Sequence, residues 1–184
     1  MAFRISLELT SRDLRYFRDA LQRSRDAVKD ADDEEIVDAI AAVIDDIRGG
    51  GPLPDFINRR LPDLEALTSM LRDAEWQLPD SEREQLLATF IYFGDPEDLI
   101  PDNIPGIGYL DDVIMIELLL REMRHVRDAY RDFCAFRDSY DRKHADRSKP
   151  EERMARLKKR RTELHKRMRR RHAADNKSKR RALW

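Results

Sequence analysis

The sequence predicts an all-α protein: a single bundle of about five to six helices with a projecting basic C-terminal helix. Apolar residues recur at steps of three and four through most of the 184 residues, and this is the spacing of one helix face. Gly and Pro are few, six and eight in number, and they fall mostly between these patterns. An apolar fraction of 41% suffices for one modest core.

Four amphipathic helices are predicted in the first half of the chain, together with a short helix that starts at Pro52 and Pro54 and continues through Leu61. Residues 3 to 9 alternate between apolar and other side chains, which favours an extended arm packed on helices. The first helix is predicted over residues 13 to 29, and the second carries an apolar stripe over residues 36 to 47. Two further stripes, over residues 64 to 71 and 86 to 91, predict the third and fourth helices.

The longest apolar pattern begins near Tyr109 and continues beyond Tyr140. Its steps alternate between three and four, which is typical of a helix packed lengthwise against others. The part from Val113 to Leu120 is apolar on nearly all sides, so we expect it to be the buried central helix. A new helix is predicted to begin near Pro150, because Pro is tolerated in a first helical turn.

Charge divides the chain into two parts. Residues 141 to 184 carry 19 Lys and Arg against 6 Asp and Glu, whereas residues 1 to 140 carry 17 and 31. The sequence therefore predicts an acidic helical domain over residues 1 to 147 and a basic C-terminal helix or tail over residues 148 to 184.

Several classes of protein are disfavoured by what the sequence lacks. The single cysteine, Cys134, excludes a disulfide framework and a CxxC zinc site, and we expect it to be a buried inert thiol. No stretch has the roughly 18 uninterrupted apolar residues of a spanning helix, and the N-terminus lacks a secretory signal. Phosphate-binding and hydrolase motifs are also missing. We therefore expect a cytoplasmic protein without enzymatic activity, catalytic residues, cofactor or metal.

One recognisable motif spans residues 92 to 116, YFGDPEDLIPDNIPGIGYLDDVIMI. It joins an acidic residue, Leu-Ile-Pro-Asp, a second Ile-Pro, a Gly and a paired Asp that opens an apolar helix. This pattern resembles the signature of the YkvA-like family, small bacterial helical domains of unknown function. The resemblance implies a helical hairpin over about residues 85 to 140 and brings no established activity. The motif residues to which we assign a structural role are Asp98, Pro101, Asp102, Pro105, Gly108, Asp111 and Asp112.

The carboxylates of this motif have two interpretations. In the first, Pro101 and Pro105 keep the residues before them out of the α region, which makes a rigid extended corner between two helices. Asp111 and Asp112 would then face the positive end of the second helix. In the second, the acidic residues between 95 and 112 gather to hold a hard cation or a basic partner, although the spacing of a calcium loop is absent.

A second candidate for chemistry is the pair Glu122 and His125. Their Glu-x-x-His spacing is the one used by di-iron helical bundles, which need a second copy and two further glutamates. Asp141 and His144 share only the spacing. A surface ion pair is therefore the better interpretation.

The basic tail carries the main functional prediction. From Arg153 to Arg171 it holds eleven Lys and Arg and one acidic residue. Such a block is either a solvated charged helix or a surface for polyanions, because each neutralised phosphate releases counterions. We predict a non-enzymatic adaptor that contacts RNA or DNA backbone without sequence specificity. The residues expected to make these contacts are Arg160, Arg161, Lys166, Arg167, Arg169, Arg170 and Arg171.

Two alternatives use the same tail. It can bind an anionic membrane surface, with Leu183 and Trp184 at the interface, which would place the protein at the periphery of the inner membrane. It can also fold back, with its charge of +13, on the body of −14, either its own or that of another copy in tail-mediated self-association.

Overall fold

The computed structural model describes the chain in six ranges: residues 8–10, 13–28, 32–49, 58–93, 110–144 and 149–181. The described residues form helices and connecting turns and include no strand, so the predicted all-α class is confirmed, C-terminal helix included. The described ranges contain seven helices: α1 (Asp13–Val28), α2 (Asp33–Gly49), α3 (Leu61–Arg72), α4 (Asp80–Phe93), α5 (Leu110–Glu122), α6 (Arg124–His144) and α7 (Pro150–Arg181).

Helix α4 occupies the centre of the bundle. It packs against α1, α2 and α5. Five consecutive residues, from Leu86 to Phe90, are buried, which a helix shows when neighbours cover it on all sides. We expected the stretch from Val113 to Leu120 to be central, and this is wrong: in α5, Val113, Ile114 and Leu118 remain partly exposed.

The long helix expected from Tyr109 beyond Tyr140 is divided in two. It is interrupted at Met123, between α5 and α6. Helical hydrogen bonds nevertheless continue across this point, since Met123 N donates to Leu119 O at 2.8 Å and Arg127 N donates to Met123 O at 2.9 Å. Met123 itself is buried. The two helices therefore behave as one packed element with a local distortion.

Helix α7 lies along α6 and does not project from the bundle. Its residues Leu157, Leu164 and Met168 are buried in the same apolar cluster as Phe133 of α6. The prediction that the C-terminal helix projects from the bundle is therefore wrong for this part of the chain. Burial of its apolar stripe, which has a seven-residue spacing, stabilises the folded protein. The boundary predicted between residues 147 and 148 divides the acidic part of the sequence from the basic part. Both parts nevertheless contribute side chains to the same apolar core.

Candidate nucleic-acid interface

The inner side of α7, which faces the rest of the bundle, begins with an arginine held by two carboxylates. Arg153 Nε and Nη2 donate to the two oxygens of Asp141 at 2.7 and 2.8 Å. Its Nη1 donates to Glu75, which lies in the connection between α3 and α4. These bonds lower the pKa of the Asp141 carboxyl and raise the pKa of Arg153. The start of α7 is thus tied both to α6 and to a distant loop.

That loop, residues 73 to 79, is the common anchor of α6 and α7. One carboxylate oxygen of Asp73 accepts from the backbone N–H groups of Glu75 and Trp76, both at 3.0 Å. The other accepts from the Tyr130 hydroxyl at 3.1 Å and from Arg137 Nη1 at 2.8 Å. A short polar side chain that bonds its own backbone stabilises a turn. Asp73 therefore shapes the loop and attaches it to α6.

Glu75 completes this charged cluster. Its carboxylate accepts from Arg153 and, at 3.1 Å, from Arg137. The hydrogen bond from Arg153 is the largest cause that lowers the pKa of Glu75. The Glu75 carbonyl oxygen accepts from Arg161 Nη1 at 2.9 Å. Arg161 interrupts the apolar stripe of α7 and is partly buried. Its hydrogen bond to the Glu75 carbonyl oxygen offsets the free-energy cost of that burial.

Trp76 and His165 meet where this loop contacts α7. Trp76 is fully buried, and the two rings lie edge to face with their centroids 4.4 Å apart. Burial lowers the pKa of His165 below its ordinary 6.5, and the charges of Arg161 and Arg169 act in the same direction, while Glu82 opposes them. The folded protein therefore favours the neutral imidazole.

Because the pKa of His165 is lowered in the folded protein, the free energy of unfolding should decrease at acidic pH. The unfolded chain takes up a proton near pH 6.5, whereas folded His165 does so only at lower pH, and so the free energy of unfolding decreases as pH falls through that value. In urea unfolding measured between about pH 7 and about pH 5, His165→Leu should reduce the pH dependence. His144→Gln, at a histidine stacked on Tyr140 near the end of α6, serves as the control. An unchanged pH dependence in His165→Leu would contradict this assignment.

The C-terminal half of α7 is attached at three further points, one of which is His172 Nε2, 3.2 Å from the carbonyl oxygen of Glu122. Arg167 forms an ion pair with Asp132 of α6. Asp175 forms an ion pair with Arg124, and the same carboxylate oxygen lies 2.7 Å from His125 Nε2, within hydrogen-bond distance. The bonds from Arg124 and then His125 lower the pKa of Asp175 to about 2. Ion pairs therefore follow α7 from its start to its last described side chains.

The seven residues predicted to contact nucleic acid fall on two sides of α7. Arg160, Arg161 and Arg167 face the body: Arg160 lies over the Phe136 ring, with its guanidinium carbon 5.6 Å from the centroid, and the other two bond to Glu75 and Asp132. The other four are exposed to solvent, namely Lys166, Arg169, Arg170 and Arg171. Of the seven predicted residues, only these four are therefore open to solvent.

Three further exposed cations belong with those four and were not among the predicted contact residues: Arg156, Lys158 and Lys159. The sequence contained a signal for them. Counting from the stripe of Leu157 and Leu164, helical periodicity places them on the sides of α7 that face solvent. We define the outer face of α7 by these seven exposed cations. None of the seven forms an ion pair with any residue of the described ranges.

The charge balance of α7 explains why this face remains cationic. The helix contains fifteen Lys and Arg against four Asp and Glu. Among the acidic residues, Asp175 is directed at α6 and Glu163 pairs with Arg160 at 3.6 Å. Glu151 and Glu152 lie in the first helical turn, where they complement the positive end of the helix dipole. The outer face therefore carries a large excess of positive charge.

Most of the residues of the motif lie outside the ranges that the structure describes. Asp98, Pro101, Asp102, Pro105 and Gly108 lie outside the described residues. Asp111 is fully buried in the first turn of α5, the position expected of it. The backbone of Asp112 is helical, and its side chain lies outside the description. In the described ranges, no group of three His, Cys, Asp or Glu side chains is placed to hold a metal ion.

The other candidate residues have structural partners. Glu122 accepts from Gln85, while His125, one turn further on, pairs with Asp175. The two do not form the ion pair that we expected. Similarly, Asp141 binds Arg153, and His144 Nδ1 lies 2.8 Å from the carbonyl oxygen of Tyr140.

Cys134 is partly exposed on α6, so the expectation of a buried thiol is corrected. Burial nonetheless raises the pKa of its thiol, although a hydrogen bond with Tyr130 acts in the opposite direction. The thiol lies 3.7 Å from Arg137 Nη2. A raised pKa leaves little reactive thiolate near neutral pH.

A family model described as a protein of unknown function, DUF1232, matches residues 85–118. This segment covers the C-terminal part of α4, the connection after it and most of α5, and it includes the motif residues from Asp98 to Asp112. The match supports a small domain of unknown function in this part of the chain. Searches of curated proteins and of solved structures found no match. None of the described helices combines the length and apolar character that membrane crossing requires.

Proposed function

We propose that this protein is a non-enzymatic adaptor that binds the backbone of RNA or DNA through the outer face of α7, without sequence preference. The observation that carries the proposal is the exposure to solvent of seven cations on a helix whose apolar stripe is fixed in the core. Lys and Arg side chains in this density neutralise phosphates and release counterions. In the same proposal the protein is cytoplasmic, and its motif segment is of the YkvA-like type.

Helix α7 is firmly attached to the bundle, which supports its use as a binding surface. Leu157, Leu164 and Met168 hold the helix against α6, and Arg153 and Arg167 add ion pairs near both ends of that contact. A surface that is already ordered loses less conformational entropy on binding than a disordered basic tail. The arginines that bond to the body, Arg160, Arg161 and Arg167, act in this proposal as supports for the helix.

Membrane binding is the less favoured use of the same helix. Insertion into an interface requires an apolar helix face that is available to lipid. In α7 that face is occupied by the core, with Met154 the one large apolar side chain exposed among the described residues, at 62%. Leu183 and Trp184, on which the membrane alternative depends, lie outside the described residues.

Salt dependence of binding tests the proposal. Fluorescence anisotropy with labelled RNA and DNA oligonucleotides should detect binding of the full-length protein at low salt. If about six phosphates are contacted, the affinity should fall by about 10³-fold between about 50 and 200 mM salt. Oligonucleotides of different sequence should bind equally. Absence of binding at low salt, or stronger binding to anionic vesicles than to either nucleic acid, would refute the proposal.

A further inference from the structure

The cations on the outer face of α7 are divided into two groups. The first cationic group is Arg156, Lys158 and Lys159, and the second is Lys166, Arg169, Arg170 and Arg171. Between them, at the exposed positions 162 and 163, the helix presents Thr162 and Glu163. The positive charge of this face is therefore interrupted along the helix by a gap that contains a carboxylate.

The gap fixes the distance between the two groups. Their midpoints are about eleven residues apart, which corresponds to about 16 Å along an α-helix. Each Lys or Arg side chain can reach several Å further in either direction. The major groove of B-form DNA is about 12 Å wide between its two phosphate backbones. Each cationic group can thus meet one backbone while the gap lies over the groove.

From this spacing we infer that α7 bridges the two strands of a DNA double helix, with one cationic group on each backbone and Glu163 over the groove between them. This inference rests on the proposed function and specifies its partner. A single strand laid along the helix would pass its phosphates over Glu163, whose ion pair with Arg160 at 3.6 Å leaves no net positive charge there to bind them. A duplex keeps the phosphates away from that position.

The chemistry of the gap favours DNA over RNA. Proteins that select RNA duplexes contact the 2′-hydroxyl groups across the minor groove. The gap offers only the Thr162 hydroxyl, which already donates to the Lys158 carbonyl oxygen at 2.9 Å, and the Glu163 carboxylate. The alanines that α7 exposes, Ala155, Ala173 and Ala174, carry no polar side-chain atom.

The inference is tested with three labelled probes of one sequence: a DNA duplex of about 20 base pairs, roughly two helical turns, one of its strands, and the matching RNA duplex. The proteins are the full-length chain and two variants that each remove three charges. One is Arg156→Gln with Lys158→Gln and Lys159→Gln, and the other is Lys166→Gln with Arg169→Gln and Arg170→Gln. The two variants are matched in charge and in exposure, and each leaves one group intact.

We expect the full-length protein to bind the DNA duplex about tenfold more tightly than the single strand at equal salt. Each variant should lose this preference, because a single group can hold only one backbone. A preference that persists in both variants would overturn the inference, since it would then reflect only the greater charge density of a duplex. Equal binding to all three probes, or tighter binding to the RNA duplex, would also overturn it while leaving the proposed function intact. Failure to bind any probe would refute the proposed function itself.

Discussion

Replacement of Lys166, Arg169 and Arg170 by Glu should weaken binding to nucleic acid by about 100-fold or more at low salt. Each reversal removes one phosphate contact and adds a charge that repels the backbone. The slope of log affinity against log salt should fall in magnitude by about three, because each lost phosphate contact lowers it by about one. All three side chains are exposed, so the variant should fold and melt like the original protein. Anisotropy titrations at several salt concentrations measure both quantities.

A matched control reverses three exposed arginines elsewhere, Arg15→Glu, Arg23→Glu and Arg59→Glu, which lie in α1 and just before α3. This variant has the same net charge as the first and differs only in the position of the change. It should retain most of the affinity, since the screening length at physiological salt is about 8 Å. An equal loss in both variants would show that overall charge, and not the outer face of α7, governs binding.

Removal of α7 should abolish the cooperative unfolding transition of the protein. Without Leu157, Leu164 and Met168, the buried surface of Phe133 and neighbouring residues on α6 would meet water. Loss of a single buried leucine side chain already costs about 2–5 kcal/mol, and a domain has only about 5–15 kcal/mol in total. A protein that ends after Lys149 should therefore give a broad transition, or none, in thermal and urea unfolding followed by circular dichroism.

A graded version of this experiment avoids the loss of the fold. Leu164→Ala removes a fully buried side chain of α7 and should lower the free energy of unfolding by about 2–5 kcal/mol. Met154→Ala, on the same helix at a side chain that is 62% exposed, should change it little. Equal and small effects at both positions would mean that α7 is not part of the core. That result would also contradict the packing of α7 against α6, on which the proposed interface depends.

Local patterns were sufficient to predict the helices but not how they are arranged. The stripe of Leu157, Leu164 and Met168 indicated an apolar side of α7 from spacing alone. Arg161 interrupts that stripe, and an interrupted stripe is typical of a helix that is not fully buried. Arg161 is accommodated because the Glu75 carbonyl, 86 positions earlier in the chain, accepts its hydrogen bond. A partner so distant in sequence leaves no trace in local spacing.

The same reason explains why three of the seven predicted contact residues are directed at the body of the protein. Density of charge led to the choice of α7, yet Arg160, Arg161 and Arg167 point to acceptors or aromatic rings on other elements. The exposure of Lys158 and Lys159 could have been predicted from the stripe of Leu157 and Leu164, because helical periodicity places both lysines off that stripe. By contrast, the central position of α4 follows from which helices surround it, and its own apolar pattern was shorter than that of α5 and α6.

Lysine footprinting tests most directly whether the outer face of α7 meets nucleic acid. Acylation of exposed amines, read by mass spectrometry, should modify Lys158, Lys159, Lys166 and Lys143 in the free protein, because all four are exposed. Bound DNA duplex should protect the three lysines of α7 and leave Lys143, near the end of α6, as reactive as before. Unchanged reactivity of Lys158, Lys159 and Lys166 under conditions where the duplex is bound would contradict the account.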